Sequence, residues 1–392
     1  MGIGLVGFPW IADLLQRFAG VPGPVAVVGL ILFAFWMAIP YALWALGLRL
    51  GPFTGWRGYA WPPALFVALQ FAWPNPFPYT PLIGFAEQPA LMQLAEKHSV
   101  RFIKTMTCNN MDAPLGTGLW EGVPLREVIW KAGPAANIRR VWFYGYHNED
   151  PKQEFRGSLS IGRILEDPPG VPPVILCYKL NGDWISGRRG GPVRMVIPEC
   201  YGFKNIKWLT KIFLTNRFNA NDTYAKGNND IDSLMKSMAR FISKPRRGKA
   251  GRPIPLTGLA QVGVNGVSKV QAWLHPKDKP LPEGDPYFQK APWRDMEILP
   301  PPGDFGGGLP ADSIGPGVTP PVHGFDSKTG RPASWPQVYA LAHWAGLLPG
   351  VPAGRYDLRC RAINNRGIAQ PLPRPYRKSG HCDIERVSLV VQ

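Results

Sequence analysis

The sequence is poor in cysteine, and its cysteines lack the spacings that bind common metals or haem. Its 392 residues include five cysteines, with neither a CxxC pair nor a CxxCH segment. These absences exclude a zinc ribbon and an attached c-type haem in the chain. Cys360 and Cys382 both lie in strand-like sequence near the C-terminus. They either pair as a disulfide, which implies an oxidising compartment, or stay reduced and half-buried.

Acidic residues are also scarce. The chain has 27 Asp and Glu against 44 Lys and Arg, a net charge of +17. This excess favours an anionic partner, such as a cofactor phosphate, acidic lipid, an acidic electron-transfer protein or nucleic acid. We expect no nucleic acid, because zinc-finger and aromatic RNA-binding patterns are absent and the basic residues are scattered outside residues 244–252.

Charged residues are missing altogether between Arg17 and Arg49. A helix that crosses ~30 Å of hydrocarbon needs about 20 apolar residues, so this interval is long enough. A cleaved signal peptide would have a basic start and a shorter apolar core, of roughly 7 to 15 residues. We therefore predict an N-terminal membrane anchor over residues 1–57 with a transmembrane helix.

A second uncharged interval runs from Arg57 to Glu87, but six prolines interrupt it. It predicts a membrane-proximal segment over residues 58–95, in which the uninterrupted helical stretch is too short to span a membrane by itself. We expect a bacterial inner (plasma) membrane location. The soluble part is expected on the periplasmic side, and the cytoplasmic side stays open because no twin-arginine signal is visible.

The rest of the chain has two patterns. Residues 96–250 mix short β-rich runs with helical pieces, which predicts an α+β domain. Residues 251–392 contain several short strands separated by turns, which predicts a β-sandwich. A Pro- and Gly-rich stretch, residues 300–321, is predicted to be a long loop between those strands.

One long segment resembles the core of the sulfite oxidase family of molybdopterin enzymes. It is Leu180–Ile212, which contains LNG followed by GPVRMVIPECYGFKNIKWLTKI. Upstream, Thr107–Asn110 and Leu119–Val128 resemble the family's metal-ligand cysteine and the WxGVPL element after it. Downstream, residues 251–392 resemble its Ig-like dimerisation domain. The resemblance covers about residue 96 to the C-terminus and implies a sulfite oxidase-like fold.

The resemblance also implies a molybdenum-molybdopterin cofactor and assigns residues to it. Cys108 stands at the position of the thiolate ligand to molybdenum, and sulfur donors suit this metal. A pterin phosphate calls for Arg, Lys and backbone N–H donors. The implied cofactor-binding residues are His147, Arg189, Arg194, Lys204, Asn205, Ile206 and Lys207.

Two further positions bear on catalysis. Arg189 stands where sulfite oxidases have His, and it is expected at the catalytic site. Tyr224 resembles the active-site tyrosine, whose phenol would donate a hydrogen bond to a substrate oxygen, although ordinary surface packing explains it equally well.

The chain departs from the family after the cysteine. Sulfite oxidases have Asn-Arg-Arg there, and this sequence has Asn-Asn-Met-Asp at residues 109–112. Sulfite is therefore not favoured as the substrate. The family's early aromatic-Arg-Asn element, which clasps the pterin, is also not evident. Similarity to bacterial methionine sulfoxide reductases around residues 201–204 makes a small S-oxide a second option.

These features predict a membrane-anchored molybdenum oxidoreductase that performs two-electron oxygen-atom transfer on a small molecule. Because no haem, flavin or iron–sulfur motif is visible, electrons would pass to a cytochrome or quinone-linked subunit. A homodimer or a hetero-oligomeric complex stays open. The alternative function is a cofactor-free structural subunit of a membrane redox complex.

Overall fold

A computed structural model describes residues 22–50, 91–108, 110–111, 113–146, 154–218, 232–303, 312–371 and 380–392. The chain divides into two compact units, Met1–Gln88 and Pro89–Gln392. The predicted segment 58–95 lies mostly outside the described residues. The predicted boundary between residues 250 and 251 falls inside the second unit and stays a prediction.

The apolar N-terminal interval forms helix α1, Gly23–Leu50, of 28 residues. In the described part of the chain, none of the helices combines the length and the apolar character needed to span a membrane. The predicted transmembrane helix is therefore not supported.

The second unit contains three short helices and sixteen strands among its described residues. The helices are α2 (residues 91–98), α3 (Leu125–Lys131) and α4 (Ile161–Leu165). The strands are β1 (Val100–Met106), β2 (Gly116–Pro124), β3 (Arg140–Gly145), β4 (Phe155–Ser160), β5 (Ile175–Leu180), β6 (Asp183–Trp184), β7 (Arg194–Val196), β8 (Leu209–Thr215), β9 (Met238–Phe241), β10 (Arg247–Gly248), β11 (Ile254–Gln261), β12 (Lys269–Pro276), β13 (Arg294–Ile298), β14 (Leu341–Leu348), β15 (Gly354–Ile363) and β16 (Glu385–Val391).

Two sheets build the α+β part. A five-stranded sheet has the order β1-β2-β5-β6, with β7 paired to β5, and a three-stranded sheet has the order β4-β3-β8. Alternate residues of β3, Val141 and Phe143, are fully buried in a core with Leu125 and Ile129 of α3 and with Ile206. Arg140 and Trp142, which point to the other face, are also buried, so both faces of this part of β3 are covered. The predicted α+β architecture agrees with these elements.

The C-terminal strands form one eight-stranded sheet in the order β10-β16-β15-β12-β13-β14-β11-β9. Strand β13 pairs with β12 through Met296 and with β14 through Ile298, so it links two halves of the sheet. Buried side chains of both halves, including Trp344 and Leu358, share one core. The short strands predicted within residues 251–392 are present as β11 to β16, whereas the Ig-like assignment is not confirmed.

The predicted loop of residues 300–321 belongs to the connection between β13 and β14, and this connection packs on the first sheet. Val322 forms a bridge with Arg101 of β1, and the His323 N–H donates to the Arg101 carbonyl at 2.7 Å. Val322 is buried beside Ile103 and Leu119. The connection therefore covers the edge strand β1, whose backbone groups would otherwise lack partners.

Candidate functional site

Cys108 lies directly after strand β1 and is partly exposed. The residue before it, Thr107, is completely buried and held from two sides. Its hydroxyl donates to Oε1 of Gln261 at 2.6 Å, and its carbonyl accepts the Gly202 N–H at 2.7 Å. The backbone that carries the thiol is thereby fixed.

The other four cysteines are buried, and no disulfide joins any of the five. Burial is the largest cause that raises the pKa of the Cys177 thiol to about 12, and it also raises the pKa of Cys200 and Cys360. A thiol of this kind does not become a thiolate ligand readily. Cys108 is therefore the cysteine best placed to bind a metal, and Cys360 and Cys382 are separate thiols.

A short 3₁₀ turn, Gly187–Arg189, is held by three side chains of the segment that follows it. Trp208 Nε1, Lys207 Nζ and Arg194 Nη1 donate, in that order, to the carbonyls of residues 187, 188 and 189. The three distances are 2.7, 2.8 and 2.9 Å. Three successive carbonyls thus fix the turn to the basic segment that contains Arg194 and Lys207.

The next residue, Gly190, must be glycine. Its φ is +107°, and a Cβ there would come within 2.7 Å of Lys207 Cγ. Its carbonyl accepts the Trp208 N–H at 3.0 Å. Trp208 itself has a φ of 49°, a conformation that bulky residues rarely adopt. Such strain persists where surrounding contacts impose it, and it is common at functional sites.

The three side chains that hold the 3₁₀ turn, those of Arg194, Lys207 and Trp208, belong to residues that line a cavity of ≈190 Å³. Four of the predicted cofactor-binding residues line it, namely Arg194, Asn205, Ile206 and Lys207. The structure therefore brings these four together. Gly202 also lines the cavity, and its N–H bond to Thr107 connects the cavity wall to the backbone beside Cys108.

Arg194 is the most constrained cation in this wall. It is 5% exposed, and its Nε donates to the Asn205 carbonyl at 3.0 Å. Its guanidinium lies 5.3 Å from the centre of the Trp120 ring. Burial is the main cause that lowers the pKa of Arg194 to about 10, and the charge of Arg189 lowers it further.

Lys207 shows the same crowding of positive charge. Its pKa is lowered by partial burial and then by Arg194 and Arg189. Repulsion among three neighbouring cations is relieved when an anion binds between them. The donor set of this wall therefore fits a phosphate group such as that of a pterin cofactor, with Arg194 and Lys207 as the residues that would hold it.

Two predicted residues have supporting positions. Lys204 is buried, and its amine donates to the Ser158 carbonyl at 2.8 Å, so it holds strand β4. The Asn205 amide donates to the carbonyls of Cys200 and Tyr201 and accepts the Ile197 N–H. Both side chains stabilise the cavity wall from inside the protein.

Arg189, a further predicted residue, does not line this cavity. It is exposed in the 3₁₀ turn and acts on the cavity through its charge. His147 and Tyr224 lie outside the described residues, so their assigned roles stay predictions. The described neighbour of His147, Tyr146, lines the cavity.

Sequence reasoning missed the aromatic part of the lining. Phe203 and Trp208 belong to the same sequence motif as Arg194 and Lys207. Their positions in that motif could have indicated that they line the same cavity. Phe155 lines the same cavity from β4, about fifty residues earlier in the chain. Its place depends on the pairing of β4 with β3, which a local pattern does not reveal.

Residues 86–223 match the family model of the oxidoreductase molybdopterin binding domain. A nitrate reductase [NADPH] of Pichia angusta is 33% identical over 105 residues, which cover 27% of this chain and 12% of the relative. The mitochondrial sulfite oxidase of Drosophila melanogaster is 29% identical over 104 residues, which cover 25% of this chain and 18% of the relative. The chain thus spans less than a fifth of either relative.

Among solved structures, the sulfane dehydrogenase SoxCD of Paracoccus pantotrophus aligns with 77% of this chain and 73% of its own, at 17% identity and a TM-score of 0.49. The predicted family and its molybdenum-molybdopterin cofactor are confirmed by the family model and the sequence relatives. Residues 86–223 of this chain are an oxidoreductase molybdopterin-binding domain, and its sequence relatives include a sulfite oxidase and nitrate reductases.

Proposed function

We propose that the chain is a molybdenum enzyme that transfers an oxygen atom to or from a small substrate in a two-electron reaction. The observation that carries the proposal is the bond between Gly202 and Thr107. It places a cavity wall with Arg194 and Lys207 next to the backbone that presents Cys108. A thiolate and a phosphate-binding wall are the two protein contributions that a molybdopterin centre needs.

The cofactor supplies the redox chemistry when it is bound, and the protein supplies position and charge. Cys108 would be the protein ligand to the metal. Arg194 and Lys207 would hold the phosphate, and the buried Asn205 keeps their segment in place. Sulfite remains disfavoured, because residues 109–112 lack the paired arginines of sulfite oxidases. A neutral or weakly charged S-oxide suits this sequence better.

Electron exchange is proposed to involve another polypeptide, a cytochrome or a quinone-linked subunit. Membrane anchoring and location at a bacterial inner membrane are part of the same hypothesis and rest on the uncharged N-terminal sequence. A homodimer or a hetero-oligomeric complex is equally compatible with the sequence.

Metal and pterin analysis tests the proposal. The full chain is produced in a host that makes molybdopterin, with molybdate supplied, and its molybdenum and oxidised pterin are quantified. About one molybdenum and one pterin per chain is the expected result. Folded protein that contains no molybdenum and no pterin would reject the proposed enzyme. It would favour the alternative, a cofactor-free structural subunit.

A further inference from the structure

A lysine that the sequence motifs do not mark lies in the centre of strand β1. Lys104 is four residues before Cys108 and is 0% exposed. A fully buried ammonium group loses its hydration, which costs several kcal/mol unless new partners compensate for it. The partners of Lys104 therefore indicate why a charged side chain occupies this position.

The Lys104 amine bonds to three acceptors. Its Nζ donates to the carbonyls of Pro198 and Cys200 at 2.8 and 2.9 Å, and it contacts Sδ of Met235 at 3.3 Å. The nearby carboxylate of Glu199 is held by two bonds from Arg163, at 2.6 and 3.0 Å. Lys104 thus binds backbone and thioether rather than a carboxylate.

The two carbonyls belong to the segment that leads into the cavity wall. The Cys200 carbonyl also accepts Nδ2 of Asn205 at 3.1 Å. The Asn205 carbonyl in turn accepts Nε of Arg194. Three hydrogen bonds, joined through the Cys200 carbonyl and through Asn205, therefore connect the Lys104 amine to the main cation of the cavity.

A second route closes the network. The Trp120 indole N–H donates to the Lys104 carbonyl at 3.0 Å, and the Arg194 guanidinium lies over the same indole ring. Lys104 thus reaches Arg194 through both its side chain and its backbone. Strand β1, which presents Cys108, and the segment Pro198–Lys207, which forms the wall, are joined through this residue.

Stability does not account for a lysine here. An unbranched apolar side chain of similar length would fill the space without the desolvation cost, and such replacements of buried charges are often neutral or stabilising. Burial lowers the pKa of Lys104 to about 7, which reflects the same cost. What an apolar residue cannot provide is hydrogen bonds of fixed length to Pro198 and Cys200.

We propose that Lys104 is a positioning residue that sets the spacing between the Cys108 strand and the cofactor-binding segment Pro198–Lys207. The proposal rests on the function proposed above. With this spacing, one molybdopterin can reach the Cys108 thiolate with its metal and Arg194 and Lys207 with its phosphate. Without the lysine amine, contacts such as the Gly202 N–H bond to Thr107 remain, and they hold the spacing less tightly.

The test compares Lys104→Met and Lys104→Gln with the wild-type full chain. We expect Lys104→Met to fold with unchanged or higher thermal stability in the cofactor-free state. Its content of molybdopterin should fall at least tenfold. Amide hydrogen exchange in residues 202–207 of the cofactor-free protein should accelerate about tenfold. Lys104→Gln keeps an N–H donor, so its pterin content should lie between the two.

Lys179→Met is the matched control, because it makes the same change in β5 of the same sheet, at a half-exposed side chain. It should keep the wild-type pterin content. A wild-type pterin content in Lys104→Met would overturn the positioning role while leaving the proposed function intact. Failure of both Lys104 variants to fold would overturn it too, since the lysine would then be required for folding. Wild-type protein without pterin would reject both proposals.

Discussion

The carbonyl of Thr107 accepts the backbone N–H of Gly202 at 2.7 Å, so the residue before Cys108 and the rim of the cavity are in direct contact. A Cβ at residue 202 would lie 3.2 Å from the same carbonyl oxygen, so a larger residue would press on this contact. This single contact joins residues that are almost a hundred positions apart. The predictions below test what that contact brings together.

Cys108→Ser should abolish molybdenum-dependent turnover and leave the fold intact. A serine hydroxyl is a poor substitute for a soft thiolate, and the backbone at Thr107 keeps its own hydrogen bonds. Turnover with artificial electron acceptors and far-UV circular dichroism are the measurements. Cys360→Ala, in the C-terminal sheet core, is the control and should keep activity despite a lower unfolding free energy. Turnover in Cys108→Ser at the wild-type rate would contradict the assigned ligand.

Gly145→Ala should disturb the cavity through the lining segment 206–207. A Cβ at residue 145 would lie 2.3 Å from both Ile206 Cγ2 and the Lys207 carbonyl. The segment 206–207 has to shift, which typically costs 1 to 3 kcal/mol, roughly the range for an overpacked core. Urea unfolding measures the cost, and pterin content should fall with it.

The control for Gly145→Ala is Gly162→Ala in α4. A Cβ there meets nothing within 4 Å. It should be neutral or stabilise the protein by about 0.5 to 1 kcal/mol, as expected for alanine in a helix. Equal effects of the two substitutions would show that crowding at residue 206 is not the cause.

Lys207→Gln should weaken cofactor retention and change stability little. The substitution removes one of three mutually repelling cations, so the stability of the cofactor-free protein should rise slightly. The bound phosphate, however, loses a charged hydrogen-bond donor. We expect about a tenfold increase in pterin loss during dialysis, in line with a charged hydrogen bond of about 1.5 kcal/mol. Lys211→Gln in β8, whose amine pairs with Glu154 on the surface, should retain pterin as the wild type does. Equal pterin loss from both variants would argue against a phosphate at Lys207.

The site was predictable where one continuous motif carries it. Arg194, Asn205, Ile206 and Lys207 were all assigned from Leu180–Ile212, and the structure places them around one cavity. Lys204 was assigned by the same motif, yet its amine reaches Ser158, 46 residues earlier. Its direction depends on tertiary packing, so the motif alone could not separate it from the lining residues.

The role of Lys104 was hidden for a related reason. The sequence Arg101–Met106 has two basic residues three positions apart, and lysine side chains are ordinarily expected in solvent. The structure covers the Lys104 side with Pro198, Cys200 and Met235, which are about 95 to 130 residues away. Local periodicity does not reveal that residues so distant in the sequence bury the Lys104 side chain. The same limit applies to β13, whose double pairing depends on β12 and β14 together.

The stability of the cofactor-free protein should depend on pH through Lys104. Its folded pKa of about 7 lies below the ordinary value of 10.5, mainly because of burial. Arg194 lowers this pKa further, whereas Cys200 and Glu199 raise it. Between these two values the unfolded chain binds more protons than the folded chain, so stability rises with pH across this window.

This pH dependence is measurable as a difference between wild type and Lys104→Met. The wild-type protein should gain unfolding free energy relative to the variant between pH 7 and pH 9.5, on the order of a few kcal/mol. Subtraction removes the opposing contribution of buried groups such as Cys177, whose raised pKa lowers stability in alkaline solution. Urea unfolding of both proteins at half-unit pH steps gives the curve. A constant difference across the window would mean that the Lys104 amine keeps its ordinary pKa, and that its three buried contacts compensate fully for its lost hydration.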